Sequence, residues 1–330
     1  MKKIDVNFLE PSQEQLNNLI KYYQAGQYKD AERLSLSVTQ KFPEHPFAWK
    51  VLGAALKQMG KINESLVATQ KPVQLKPQDS EAHNNLGVTL NELGRLDEAE
   101  VSLRQAIKLK PDLAEAHYNL GNTLKEQGRL DEAEVSLRQA ITLKPDYAEA
   151  HINLGNTLKE LGKKELGKLD EAEVSYRQAI KLKPDYAEAH SNLGNTLKEL
   201  GKLDEAEVSY RQAIKLKPDL AKAHNNLGIT LKEQGRLDEA EVSYRQAIKL
   251  KPDYAKAHNN LGNTLQELGR LEEAETSYRK AIDLKSSFRE AECGLGSVMI
   301  SKGQHKEGLE KLRLGQGAMF FDIDNGVVIQ

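Results

Sequence analysis

Cysteine is nearly missing from this chain: Cys293 stands alone among 330 residues. No internal disulfide framework can hold the fold, and a lone thiol suits a reducing compartment. Aromatic residues make up 5% of the chain and tryptophan occurs once, which is little for a large central core. No apolar run approaches the length of about eighteen residues that a membrane span needs. The amino end, MKKIDVNFLEPSQEQ, lacks the apolar centre of a signal peptide. These absences lead us to expect a chain that neither spans a membrane nor is secreted, and hence a cytoplasmic location. Charge of one sign is also in short supply, since 47 basic residues nearly balance 49 acidic ones for a net charge of −2. Nonspecific nucleic-acid binding needs a clustered positive surface, so nucleic acid is not an expected partner.

What the chain has in abundance is itself. Residues 187–220 and 221–254 differ at only six positions, and the similarity recurs with a period of 34. Each full copy carries an apolar-Gly pair such as Leu120-Gly121, then Leu124, a Gly before a break at Gly128, Ala133, Leu137, Ala140 and a closing Pro145. Counting back from each proline gives units at 12–45, 46–79, 80–113, 114–147, 148–186, 187–220, 221–254, 255–288 and a degenerate 289–315. We therefore read 1–11 as an N-terminal extension, 12–315 as one repeat array and 316–330 as a tail.

Within a unit the periodicity predicts two helices. Ala116, Leu120 and Leu124 fall at helical spacing, and Gly128 supplies the permissive backbone that stops the first helix. Asp112 with Glu115, and Asp131 with Glu134, read as capping boxes that start the two helices. Gly121, Ala133 and Ala140 would let the helices approach closely, with Leu120, Leu137 and Leu143 filling the space between them.

This pattern resembles the tetratricopeptide repeat at nearly every signature position except the aromatic start, where this chain has His. The resemblance implies an all-α fold, a right-handed α-α superhelical solenoid of helix-turn-helix units. A solenoid buries only thin seams between neighbouring units, which fits an apolar content of 39%.

The recurring histidines His83, His117, His151, His190, His224 and His258 are one per unit, so helix packing at about 8–10 Å keeps them from meeting on one metal ion. They read as packing residues, and neither a metal nor any other cofactor is expected. No phosphate-binding glycine loop and no nucleophile with a motif-fixed base is present, so the chain reads as non-enzymatic.

More telling is a row of asparagines, Asn85, Asn119, Asn153, Asn192, Asn226 and Asn260, at one position in six successive units. Four units extend the pattern to Asn-Leu-Gly-Asn, adding Asn122, Asn156, Asn195 and Asn263. A primary amide can meet a peptide N–H and C=O at once, so such a row can grip backbone. These segments are similar to the superhelical targeting region of O-linked N-acetylglucosamine transferases. The resemblance implies that the first helix of each unit lines a concave groove where an asparagine ladder holds an extended peptide. Two functions are thus open: a peptide-binding interaction scaffold, or the substrate-recognition module of a glycosyltransferase-like system whose catalytic domain is absent from this chain.

Sequence preference must come from neighbouring positions. Lys125, Lys159, Lys198 and Lys232 add a row of groove charge. Position two of the unit is Glu81, Glu115, Glu149 and Glu188, then Lys222 and Lys256; position five runs Asn84, Tyr118, Ile152, Ser191, Asn225, Asn259. The lack of lysine at position five of these central copies disfavours a carboxylate clamp for chaperone C-termini, and the 34-residue period disfavours pentatricopeptide-type RNA binding. Two irregularities remain. KELGK at 159–163 is repeated at 164–168, which adds five residues where the helices of the fifth unit turn. That insertion reads as a longer first helix or a looser loop. The tail GAMFFDIDNGVVIQ reads as a β-hairpin turning at Asp324-Asn325-Gly326, and a lone hairpin is marginal in water. Self-association through that tail is a further expectation.

Overall fold

A computed structural model describes residues 10–162, 165, 167–316, 319–322 and 326–329. The chain is an all-α solenoid of paired helices with a terminal hairpin, and it divides into two compact units, 1–168 and 169–330. Most of the N-terminal extension, residues 1–9, lies outside the described residues.

In the first unit the pairs are α1 (Gln13–Gln24) with α2 (Tyr28–Lys41), α3 (Pro46–Gln58) with α4 (Ile62–Leu75), α5 (Ser80–Glu92) with α6 (Leu96–Leu109), and α7 (Ala114–Glu126) with α8 (Leu130–Leu143); α9 (Ala148–Leu161) follows. The boundary between units falls just inside α10 (Gly167–Leu182). The second unit continues with α11 (Ala187–Glu199), α12 (Leu203–Leu216), α13 (Ala221–Glu233), α14 (Leu237–Leu250), α15 (Ala255–Glu267), α16 (Leu271–Leu284), α17 (Arg289–Ser301) and α18 (His305–Gln316). Strands β1 (Met319–Asp322) and β2 (Gly326–Ile329) pair antiparallel, Met319 opposite Ile329 and Asp322 opposite Gly326. Asp324 and Asn325 of the expected turn lie outside the described residues.

Each pair closes for a reason visible in α7 and α8. Ala116, Leu120, Thr123 and Leu124 form the buried stripe of one helix, and Ala133, Ser136, Leu137 and Ala140 that of the other. At Gly121 a Cβ would sit 2.7 Å from Leu137 Cγ, so only glycine permits the crossing. In α10, α12, α14 and α16 tyrosine replaces that leucine, and a Cβ at Gly194 or Gly228 would meet Tyr210 or Tyr244 at the same 2.7 Å. Those rings are 0% and 1% exposed, and burying a large apolar side chain contributes about 1.5–3 kcal/mol. The turn uses Gly128 at φ 76°, with Arg129 N–H donating to the Leu124 carbonyl at 2.9 Å, a Schellman closure.

Helix starts differ from expectation. Leu113 is the N-cap of α7 and Arg129 that of α8, and neither helix has a side-chain cap. The chain commits Leu113 to the core at 9% exposure, which leaves Asp112 in the turn ahead of the helix. Asp131 lies inside the first turn of α8, where its charge still favours the helix dipole. Side-chain caps are made instead by Ser12 with Gln15 at α1 and by Asp79 at α5.

The five extra residues of the fifth unit are shared out. α9 has 14 residues where α7 and α11 have 13, and α10 has 16 where α8 and α12 have 14. Gly162 keeps a helical φ of −59°, unlike the positive-φ glycines that end its neighbours. Lys163, Lys164 and Leu166 lie outside the described residues. Among the described residues no helix is long and apolar enough to cross a membrane.

Candidate functional site

First helices of successive repeats touch one another, α3 with α5, α5 with α7 and α7 with α9 in the first unit, α11 with α13 and α13 with α15 in the second. Each unit therefore presents a first-helix face. Because Leu120 and Gly121 are committed to the seam, Asn119 and Asn122 fall at the edge of that face and are half-buried, as are their equivalents. Behind each ladder asparagine a buried threonine caps its carbonyl: Thr123 Oγ1 donates to Asn119 O and Thr230 Oγ1 to Asn226 O, each at 3.0 Å.

Most of these amides bond to one another. In the first unit Asn119 Nδ2 donates to Asn84 Oδ1 at 2.9 Å, and Asn153 Nδ2 to Tyr118 Oη at 3.0 Å and Asn122 Oδ1 at 2.7 Å. In the second, Asn226 Nδ2 donates to Asn195 Oδ1 at 2.8 Å and Asn260 Nδ2 to Asn225 Oδ1 at 3.0 Å. Position five, read from sequence as a source of ligand preference, is thus also a partner within the row. Asn85 and Asn192 hold the first ladder position on α5 and α11, and Asn156 the second on α9. Tyrosines of the second helices support the second asparagine: Tyr210 Oη donates to Asn195 Oδ1 at 2.7 Å and Tyr278 Oη to Asn263 Oδ1 at 2.6 Å. Burial pushes both phenols above their ordinary pKa, which keeps them protonated as donors. The row ends at Gly294, where the next asparagine would fall, and Asn259 Oδ1 is consequently buried with no hydrogen-bond partner.

The lysine row is similarly engaged. Lys232 pairs with Glu267 at 2.7 Å and Lys198 with Glu233 at 4.0 Å, each reaching the following repeat. Lys125 and Lys159 are half-buried at the same position on α7 and α9. At position two, Glu81 meets Lys50 at 3.1 Å and Glu115 meets Lys144 at 3.9 Å, whereas Lys222 and Lys256 are exposed.

Two sets of contacts were not legible as such. Each recurring histidine places Nε2 close to the carbonyl of the proline six residues earlier, 2.9 Å for His117 and Pro111, 3.0 Å for His224 and Pro218. A carbonyl only accepts, so the ring carries its proton on Nε2. Trp49 Nε1 does the same to Pro43 O at 2.8 Å, which shows why His can replace an aromatic there. On the second helices, Glu207 receives Arg211 at 2.8 Å and Arg236 at 2.6 Å, and Arg236 also holds Glu239 at 2.7 Å. The Glu-rich segments taken for helix caps are thus links between repeats. Desolvation alone would raise the Glu207 carboxyl, but its bonds to Arg236 and Arg211 outweigh this and hold it below the usual carboxylate range.

Comparison with known proteins places this architecture. A family described as TPR repeat matches residues 89–128, 121–162, 164–201, 194–235 and 230–269, and the tetratricopeptide repeat family matches 255–288. No curated protein sequence matches. Among solved structures the chain is similar to YrrB, described as a TPR protein with an unusual peptide-binding site, at 24% identity and a TM-score of 0.50 over 58% of this chain and 95% of that one. It is also similar to the APC/C hetero-tetramer Cut9-Hcn1, at 15% identity and a TM-score of 0.60 over 82% of this chain and 52% of that one. Both likenesses speak to the fold alone. With the family matches running from residue 89 to 288 over helix pairs closed by Gly against Leu or Tyr, the chain belongs to the tetratricopeptide repeat family.

Proposed function

We propose that this chain is a protein-interaction scaffold whose first-helix faces hold an extended peptide segment through side-chain amides. The observation that carries the reading is the row of half-buried asparagines fixed by bonds to one another. An immobilised amide loses little rotamer freedom when a ligand arrives, and a side-chain amide still has lone pairs for peptide N–H groups. YrrB, a tetratricopeptide repeat protein described by its peptide-binding site, is in keeping with this reading.

The test is capture of partners from lysate, with mass spectrometry, by the wild type and by a variant with Asn119, Asn153, Asn192 and Asn226 changed to Ala. Because those side chains also tie repeats together, a second variant, Asn84→Ala with Asn225→Ala, removes acceptors of the row but keeps the ladder. Partners lost only from the first variant support the reading, provided both variants keep wild-type helicity by circular dichroism. Partners retained by the first variant refute it.

A second reading makes the same face the substrate-recognition part of a glycosyltransferase-like system. What favours it is the fourfold Asn-Leu-Gly-Asn segment. Co-purification of a glycosyltransferase catalytic chain would support this, and captured partners without one would count against it.

A further inference from the structure

The second helices of the second unit carry a surface that the ladder leaves unused. Between α10 and α12, α12 and α14, and α14 and α16 lie three grooves of about 640, 620 and 420 Å³. Their floors are aliphatic: Ile180 with Leu193, Ile214 with Leu227, Ile248 with Leu261. Val208 and Val242 stand on the walls of the first two, 68% and 69% exposed, an unusual setting for valine. Thr276 takes the same place in the third.

The ionisable side chains lining these grooves are cationic or His. Four cations line each of the first two, Arg177, Lys181, Arg211 and Lys215 in one, Arg211, Lys215, Arg245 and Lys249 in the next. No carboxylate lines any of the three, although the chain as a whole is net acidic. The arginines are neutralised by glutamates, as in Arg211 with Glu207 and Glu239. Among the described residues Lys181, Lys215, Lys249 and Lys280 form no ion pair, so they set the charge of the surface. In the first unit the lysine is kept at Lys108 of α6 and replaced by Thr142 in α8, with Val101 and Val135 as exposed as Val208 and Val242.

We propose that these grooves dock an acidic segment of a partner protein that carries aliphatic side chains between its carboxylates. The aliphatic residues fill the floors and the carboxylates meet the lysine rims, so each part of the surface has a complement. Nucleic acid fits poorly, since no aromatic side chain lines a groove to stack a base. A lipid bilayer fits poorly too, because a flat surface does not reach floor residues such as Leu227 and Leu261, 5% and 4% exposed.

The experiment is fluorescence anisotropy of the full chain with a fluorescein-labelled synthetic peptide in which Leu recurs among Asp and Glu. Controls are the same peptide with Gly for Leu, an oligodeoxythymidylate, and phosphatidylserine vesicles followed by sedimentation. The wild type is expected to bind the Leu-containing peptide and to bind the three controls at least about tenfold more weakly. Lys215→Glu with Lys249→Glu, at exposed positions that leave the fold intact, should weaken peptide binding about tenfold. Val208→Thr with Val242→Thr should weaken it several-fold while leaving its salt dependence unchanged. Unchanged affinity in either variant, a control that binds as tightly as the peptide, or no binding by the wild type would overturn the proposal. So would binding abolished by Asn192→Ala with Asn226→Ala while the groove variants retain it, because that places the peptide on the other face.

Discussion

Asn225 and Asn259 occupy the same position one repeat apart, and both are almost fully buried at 3% and 6% exposure. Asn225 Oδ1 accepts from Asn260, whereas the next repeat has Gly294 in place of that donor and Asn259 Oδ1 has no partner. An unpaired buried polar atom costs about 1–3 kcal/mol, and replacing it by an apolar group of similar shape is neutral or stabilising. Asn259→Leu should therefore leave stability in urea unchanged or raise it, while Asn225→Leu should cost about 1 kcal/mol or more. A second residue-scale prediction concerns the seam. Ala at Gly228 would put Cβ 2.7 Å from Tyr244 Cε1, against a ring held by its surroundings, so Gly228→Ala should cost about 1–3 kcal/mol in the same measurement. Sequence showed the small residue and its bulky partner, because both recur at fixed spacing. It did not show that the ladder amides bond to one another. That depends on how far neighbouring first helices are offset, which a period cannot give.

At the scale of elements, second helices are joined by carboxylates shared between arginine or lysine side chains of two repeats. Glu173 takes Arg177 at 2.9 Å and Lys202 at 2.7 Å, and Glu207 takes Arg211 and Arg236. In both, desolvation raises the carboxyl and the cationic partners lower it further than that. The stability each contributes is present above its unfolded pKa of about 4.3 and is lost as pH falls through its depressed folded value. Glu173→Gln with Glu207→Gln should therefore lower the urea midpoint at neutral pH and flatten its decline below about pH 5. The inserted segment offers another element-scale test. Removing 164–168 brings Lys163 ahead of Leu169, where Lys168 now reaches Glu134 at 3.0 Å. That deletion restores a 34-residue unit and should leave helicity and thermal midpoint close to wild type. The helix pairs were legible from apolar spacing and glycine. Their first residues were not, since Leu113 rather than Asp112 takes the N-cap once the seam requires its side chain.

For the whole molecule, contact between elements passes from each helix to its near neighbours in sequence, α12 to α13 and α13 to α14. Stability then accumulates repeat by repeat, so no single unit is indispensable. Excising residues 221–254 joins α12 to α15, whose sequence AKAHNNLGNTLQE differs from that of α13 at two positions. The shortened chain should fold with wild-type helicity per residue and a thermal midpoint only slightly lower, as circular dichroism would report. The amide row also has a sense. Asn119, Asn153, Asn226 and Asn260 each donate to the repeat before them. Within each unit these dipoles point the same way, making the row a vector rather than a symmetric comb. A peptide backbone is itself a vector, so on the proposed reading such a surface would discriminate between a chain laid along it and the same side chains presented in reversed order.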